Sequence, residues 1–141
     1  MSVERNNMID SLNRIFIPEL RKLKFTGSFP HFRKIDNDIT NLLTFQFDRN
    51  GGGFIIELAN HKGNEYKTHW GEIITLNKLT AHDLNERIRV YPNSESEESG
   101  TDSWFRYDKK SFINFGNKFD KLSQKAIDKI PLMKKYWAEI E

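Results

Sequence analysis

The sequence contains no cysteine among its 141 residues. Disulfide bonds, thiolate zinc sites and cysteine nucleophiles are therefore excluded. No apolar run approaches the ~20 residues that a membrane-spanning helix needs, and the N-terminal residues lack the basic and then apolar order of a signal peptide. These absences predict a cytoplasmic protein with no membrane association.

Aromatic residues supply much of the material for a core. The chain has eleven Phe and three Trp, and 37% of its residues are hydrophobic. A chain of this length can bury one core without disulfides or metals. We therefore expect a single α+β domain over residues 1–141.

Charge is unevenly distributed, although the net charge is only +2. Residues 37–108 hold twelve acidic and seven basic side chains, net −5, whereas residues 109–135 hold two acidic and eight basic side chains, net +6. This asymmetry predicts basic helices packed on an acidic sheet. The alternative is a nucleic-acid surface on the basic helices, which the overall charge does not favour.

Residues 39–60 predict two strands joined by a glycine-rich turn. Apolar and polar residues alternate in both halves, as they do in strands with one buried face. The face that we expect to be buried comprises Leu43, Phe45, Phe47, Phe54, Ile56 and Leu58. The other face, which can be solvated, includes Gln46, Asp48 and Glu57. A strand rather than a helix follows the glycines, which excludes a phosphate-binding loop.

Helical periodicity flanks this hairpin. Apolar residues at three- and four-residue spacing predict a helix over 3–23 that is kinked at Pro18 or consists of two short helices that meet there. The same spacing predicts a second helix over 115–130 that is followed by a short final one. Segments 29–35 and 85–91 indicate further strands. We expect an antiparallel meander of about four to five strands, covered on one face by the N-terminal and C-terminal helices.

Two segments are harder to interpret. In residues 61–84, Tyr66, Thr68 and Trp70, followed by Ile73, Ile74 and Leu76, are compatible with a strand or with a strand and a long loop. Residues 92–102 contain no apolar side chain and several glutamates, which predicts a mobile acidic loop.

The order of these motifs resembles a bacterial family catalogued as domain of unknown function 4304. The matching segments are residues 20–25, Phe45-Gln46, residues 54–58, Arg87-Ile88, Asp102 with Trp104-Phe105, and Ile130-Pro131-Leu132. They extend over nearly the whole chain, although Arg89 stands where the family pattern has a glycine. The resemblance implies an α+β fold with an antiparallel sheet and no established activity.

Polar residues on the open face of the predicted sheet are the candidates for a binding site. Gln46, Glu57, Arg87 and Arg89 would form a patch there. Trp104 would add a rigid aromatic contact for an anionic ligand or partner. The simpler interpretation is that the two arginines pair with acidic residues of the middle segment.

Metal chemistry is the main alternative. Asp48 and Glu57 are of the type that holds magnesium in a metal-dependent nuclease. However, Ala59 stands where a lysine would support that interpretation, and His61 and His69 are spaced more widely than zinc ligands on a helix. We predict no catalytic residue, no metal and no cofactor.

These observations favour a non-enzymatic binding domain whose partner is another protein. By analogy, a toxin-neutralising immunity protein is one form that such a domain takes. Two alternatives stay open: a metal-dependent hydrolase that uses the sheet carboxylates and the histidines, and a nucleic-acid-binding protein that uses the lysines of residues 118–129.

Overall fold

An antiparallel hairpin of two long strands, Ile39–Phe47 (β3) and Gly53–Lys62 (β4), lies at the centre of the sheet. Phe45 pairs with Ile56 and Thr44 with Glu57 in its register. The computed structural model describes residues 3–93, 103–108 and 117–140. The hairpin and the residues on each of its faces are as predicted.

Four shorter strands extend the hairpin into a six-stranded antiparallel sheet. They are Thr26–Ser28 (β1), His31–Asp36 (β2), Arg87–Val90 (β7) and Phe105–Arg106 (β8). The order is β1-β2-β3-β4-β7, and β8 pairs with β4 beyond the end of β7. The sequence indicated about four to five strands because β1 and β8, of three and two residues, are too short to show alternation.

The first predicted strand begins two residues later than expected. Phe29 and Pro30 form the turn between β1 and β2, and pairing starts at His31. Proline has no backbone N–H to donate to a neighbouring strand, so a place in the turn leaves no donor missing from the ladder.

The helices cover one face of the sheet, as predicted. The N-terminal segment runs through Val3–Ser11 (α1), a wider π-helical turn over Leu12–Phe16, and Ile17–Lys22 (α2). The irregularity expected at Pro18 therefore appears as this turn, which ends two residues before the proline. The C-terminal helices are Lys118–Asp128 (α3) and Ile130–Ala138 (α4).

The main core lies between these helices and the sheet. Its helical side comprises Met8, Leu12, Phe16, Ile17, Leu20, Ala126, Met133 and Trp137. Its sheet side includes Phe32, Leu43, Phe45, Phe54, Ile56, Leu58, Val90 and Phe105.

No helix of the described ranges is long and apolar enough to cross a bilayer. Phe115 and residues 94–102 of the predicted acidic loop lie outside those ranges.

The segment with no clear pattern folds over the opposite face. Within the described ranges, strands Glu65–Lys67 (β5) and Ile73–Thr75 (β6) pair only with each other. Two 3-10 turns follow at Leu76–Lys78 and Ala81–Asp83. A second core forms beneath this segment from Leu42, Ala59, Leu79, Ala81 and Leu84. The expectation of a solvated face is therefore wrong for this half of the sheet.

The glycine-rich turn is held in place by the last strand. Arg106 donates to Asp48 at 3.0 Å and to the Gly51 carbonyl at 3.2 Å. Gly52 has φ +88°, and a Cβ at this position would overlap Arg106 and Asp108. The turn is structural, as predicted, but Asp48 is a buried ion-pair partner and not a solvated carboxylate.

Phe45 should be the most sensitive aromatic position of the core. Its ring contacts the rings of Phe16, Phe29, Phe32 and Phe54. We expect Phe45→Ala to lower the free energy of unfolding by about 3–5 kcal/mol, because it removes buried area and leaves a cavity.

Urea denaturation followed by circular dichroism measures this change. Ile73→Ala, at a side chain that is 54% exposed, is the control and should stay within about 0.5 kcal/mol of the unsubstituted protein. Equal effects from the two substitutions would contradict this account of the core.

Candidate functional site

A row of polar residues crosses the sheet on the face away from the helices. His31 pairs with Thr44, Thr44 with Glu57, and Glu57 with Arg89 in the strand register. Directly opposed residues of neighbouring strands project from the same face, within about 4.5–5.5 Å of each other at Cβ. Four strands therefore bring these four side chains side by side.

Glu57 is the centre of this row and is only 1% exposed. Its Oε2 accepts hydrogen bonds from Arg87 Nε and Arg89 Nε, each at 3.3 Å. A buried carboxylate is stable only when such partners compensate its lost hydration. The two arginines thus pair with the acidic middle segment, as the simpler interpretation predicted. The prediction that Glu57 lies on a solvated surface is wrong.

His82 reaches the same carboxylate from above the sheet. The turn that carries it is capped by Asp83, which accepts a hydrogen bond from the Thr80 backbone at 2.8 Å. His82 Nε2 lies 2.7 Å from Glu57 Oε1, without the alignment of a hydrogen bond. We call Glu57, His82, Arg87 and Arg89 the Glu57 cluster.

The two arginines are held differently. Arg87 also donates to the Leu84 carbonyl at 2.6 Å, which ties it to the segment that covers the sheet. The Arg89 guanidinium lies over the Trp104 ring, 5.7 Å from its centroid. Its terminal nitrogens donate no hydrogen bond within the described residues. Arg89 is therefore fixed through Nε and one face, while both of its terminal nitrogens are without a partner among the residues that the structure describes.

His31 extends the cluster along the row. Its Nδ1 lies 3.0 Å from Thr44 Oγ1, and its ring meets the His82 ring edge to face at 5.8 Å. Burial, and then the neighbouring His82 and Arg33, lower the pKa of His31 below its usual range, while Asp83 opposes the shift. His31 is therefore neutral near pH 7.

The predicted site residues are mostly brought together. Glu57, Arg87, Arg89 and Trp104 are in contact as a group. Gln46 shares their face of the sheet but lies opposite Ile55, outside the cluster. Its place in the patch stays a prediction.

The two carboxylates proposed for a metal site do not meet. Glu57 lies opposite Thr44, and Asp48 comes four residues after Thr44 on the same strand. The two carboxylates are therefore roughly 13 Å apart along the strands. Each of these carboxylates forms an ion pair with an arginine. No group of three or more His, Asp or Glu side chains within the described ranges could hold a metal ion.

Sequence reasoning considered His31 and His82 only among the histidines of a metal site, and it did not place them or Thr44 beside Glu57. The two-residue turn at Asn37 and Asp38 determines the β2–β3 register and would have placed His31 opposite Thr44. No comparable signal exists for His82, because the segment that carries it has no periodicity to place it over the sheet.

Removing the charge of Glu57 should destabilise the fold. Glu57→Gln keeps the side-chain size but leaves two adjacent guanidinium groups without a counter-charge. We expect the free energy of unfolding to fall by about 1–3 kcal/mol. The loss stays below the largest values for buried pairs because both arginines are about one-third exposed or more.

Chemical denaturation at neutral pH measures this loss. Glu65→Gln, at an exposed position of β5, is the matched control and should be nearly neutral. Unchanged stability in Glu57→Gln would show that the cluster does not depend on its central charge.

Stability should fall on acidification in a way that depends on His31. Its folded-state pKa is lowered, so the unfolded chain binds more protons than the folded chain as pH drops below about 6.5. The free energy of unfolding then decreases until pH reaches the folded pKa. We expect His31→Asn, which retains a hydrogen-bonding side chain, to lose less stability between about pH 7.5 and about pH 5.5 than the unsubstituted protein.

Thermal or urea denaturation at both pH values measures the difference. His69→Asn is the control for an exposed histidine and should retain the full pH dependence. An identical pH dependence in His31→Asn would contradict the assignment.

Comparison with known proteins adds a family and no activity. Searches against curated proteins and against solved structures found no significant match. The family described as Domain of unknown function (DUF4304) matches residues 16–130, a range that includes the whole sheet, the Glu57 cluster and all of α3. The chain therefore belongs to the DUF4304 family, as the order of its motifs predicted.

Proposed function

We propose that this chain is a binding domain that uses the Glu57 cluster to hold an acidic segment of another protein. The observation that carries the proposal is the state of Arg89. Its Nε is held by the buried Glu57 while its two terminal nitrogens are left without a partner in the described residues. A guanidinium in this state presents a fork that matches an incoming carboxylate.

The charge of the cluster supports an anionic partner. Two guanidinium groups share the single carboxylate of Glu57, so two positive charges against one negative charge leave one positive charge. His82 adds a further charge when it is protonated. A second carboxylate from a partner would neutralise this excess and form charge-assisted hydrogen bonds.

Preorganisation supports binding at this point. Trp104 is buried, and Arg89 lies on its ring. The Arg89 side chain is 41% exposed, so it is both positioned and accessible. A side chain that is already ordered loses less conformational entropy on association, and arginine beside a large aromatic residue is a frequent centre of binding energy in protein interfaces.

The geometry supports binding better than catalysis. The hydroxyl closest to a histidine of this surface is that of Thr44, which is fully buried and is already bonded to His31. It cannot reach a substrate, and a metal-dependent reaction would need the ligand group that the described residues lack. A toxin-neutralising immunity protein is one form of the proposed function, because such a protein needs only a surface of this kind.

Nucleic-acid binding through α3 stays a second prediction. Lys118 is paired with Glu4 at 2.7 Å, whereas Lys121 and Lys125 are exposed. Nothing at these lysines favours the phosphates of a nucleic acid over the carboxylates of a protein as their partners. Steep loss of affinity with rising salt would be required for that function.

Arg89→Met should weaken binding of an acidic peptide. Fluorescence anisotropy with a labelled decaglutamate peptide measures the dissociation constant. We expect an increase of about tenfold or more, since one charge-assisted hydrogen bond contributes about 1.5–3 kcal/mol and 1.4 kcal/mol is tenfold. Arg49→Met is the matched control, because it removes the same charge from an exposed position in the β3–β4 turn.

The control variant should bind like the unsubstituted protein, and a decaserine peptide should not bind. An equal loss in Arg49→Met would show attraction by net charge alone. No measurable affinity for decaglutamate in the unsubstituted protein would contradict the proposed function.

A further inference from the structure

Strand β7 forms one edge of the sheet, because it pairs with β4 and with no other strand of the described ranges. The opposite edge is β1, where Arg21 already donates to the Gly27 carbonyl at 2.7 Å. Three consecutive residues of β7 are exposed, namely Arg87, Ile88 and Arg89. An exposed edge presents backbone N–H and C=O groups with which a strand of another chain can pair.

The hydrogen bonds at the turn end of β4 show to which side each of its residues points its backbone groups. The Asp48 N–H donates to the Gly53 carbonyl on the β3 side, and the Tyr107 N–H donates to the Gly52 carbonyl on the other side. Successive residues of a strand point these groups to alternate sides. The even-numbered residues of β4 therefore point towards β7.

The outward backbone groups of β7 follow from this alternation. Leu58 lies opposite Ile88 in the β4–β7 register, so these two residues exchange backbone hydrogen bonds. Arg87 and Arg89, one position to either side, point their N–H and C=O groups away from β4. No other hydrogen bond within the described ranges reaches the backbone of either arginine. The edge thus offers two donors and two acceptors.

The side chains of the same residues decide what kind of strand fits this edge. Arg87 and Arg89 project from the face that carries Glu57, whereas Ile88 projects from the opposite face beside Leu58 of the main core. The terminal nitrogens of Arg89 have no partner among the described residues, and Ile88 is 37% exposed. A strand beside β7 would therefore meet a cation, an apolar side chain and a second cation at successive positions.

We propose, on the basis of the function proposed above, that the acidic segment of the partner protein adds to the β7 edge as an antiparallel strand. Two of its carboxylates, two residues apart, lie opposite Arg87 and Arg89, and an apolar side chain between them contacts Ile88. The residues that carry the carboxylates also exchange backbone hydrogen bonds with the two arginines, because directly opposed residues of an antiparallel pair do so at every second position.

The charges of β7 favour an acidic segment over a second copy of this chain. Antiparallel pairing of two β7 edges would set the arginines of the two copies against each other, and like charges at directly opposed positions are destabilising. Charged side chains on an edge strand also prevent aggregation, but that role alone does not require Glu57 and Trp104 to order Arg89. Carboxylates at the opposed positions would instead add a counter-charge.

Amide hydrogen exchange followed by NMR tests the pairing residue by residue. In the free protein the Arg87 and Arg89 amides should exchange readily, whereas the Ile88 and Val90 amides should be protected by β4. The probe is the peptide Ser-Glu-Val-Glu-Ser with blocked termini. At about ten times its dissociation constant, exchange at Arg87 and Arg89 should slow by about tenfold, because only about one-tenth of the protein is then free.

N-methylated peptides separate backbone pairing from attraction between charges, with fluorescence anisotropy as the measurement. Methylation of both glutamate amides should weaken binding by about tenfold or more, since it blocks two hydrogen bonds to the edge. Methylation of the valine amide is the matched control, because that N–H points away from β7, and it should change the dissociation constant by less than about twofold. The peptide Ser-Val-Glu-Glu-Ser has the same composition but places its carboxylates on opposite faces, and it should bind at least about threefold more weakly.

Strand addition is wrong if the Arg87 and Arg89 amides stay unprotected while the peptide is bound, since the arginines then only guard the edge. Equal binding of the two methylated peptides would also overturn it, and weaker binding of the valine-methylated peptide would overturn the antiparallel register. Protection of the same amides in a concentration-dependent dimer without peptide would assign the edge to a second copy.

Failure of strand addition can be distinguished from failure of the proposed function. Binding of decaglutamate that depends on Arg89, with the Arg87 and Arg89 amides unprotected, would retain the proposed function and reject the added strand. No binding of decaglutamate or of Ser-Glu-Val-Glu-Ser would reject both.

Discussion

The pairing of Thr44 with Glu57 decides which side chains meet in this molecule. Strand residues alternate between faces, so a slip of one residue would exchange every buried side chain for its neighbour. Glu57 would then enter the phenylalanine core, and Phe45 or Ile56 would face the arginines. The ion pair of Arg106 with Asp48 and the close approach at Gly52 hold the turn that maintains this register.

Burial of Glu57 depends on parts of the chain that are distant in sequence. Its arginines come from β7, and β7 is reached only after the chain has crossed the polar face and packed Leu79 and Leu84 on the sheet. Arg33 donates to the Leu79 carbonyl at 3.0 Å and Arg87 to the Leu84 carbonyl. The covering segment and the charged cluster therefore form together, since each supplies partners for groups that the other buries.

Sequence patterns predicted the faces of the hairpin, the strand with Arg87 and Arg89, and the helical cover, because periodicity reports which side chains share a face. Periodicity does not report what lies on top of a face. The same pattern is therefore compatible with a solvated Glu57 and with the buried one that is observed. Residues 65–75 pair only among themselves, so no pattern in them indicated where His82 would lie.

The buried ion pairs of Glu57 are better explained by position than by stability. Replacing such a group by apolar residues of similar volume is often neutral or stabilising, because the cost of desolvation offsets the attraction. What an apolar replacement could not supply is an exposed guanidinium with a defined orientation. The hydrogen bond from Arg89 Nε to Glu57 and the contact of its guanidinium with the Trp104 ring leave Arg89 little freedom. A partner that binds an ordered Arg89 avoids the entropy of ordering it. The arrangement therefore has the physical character of a recognition surface.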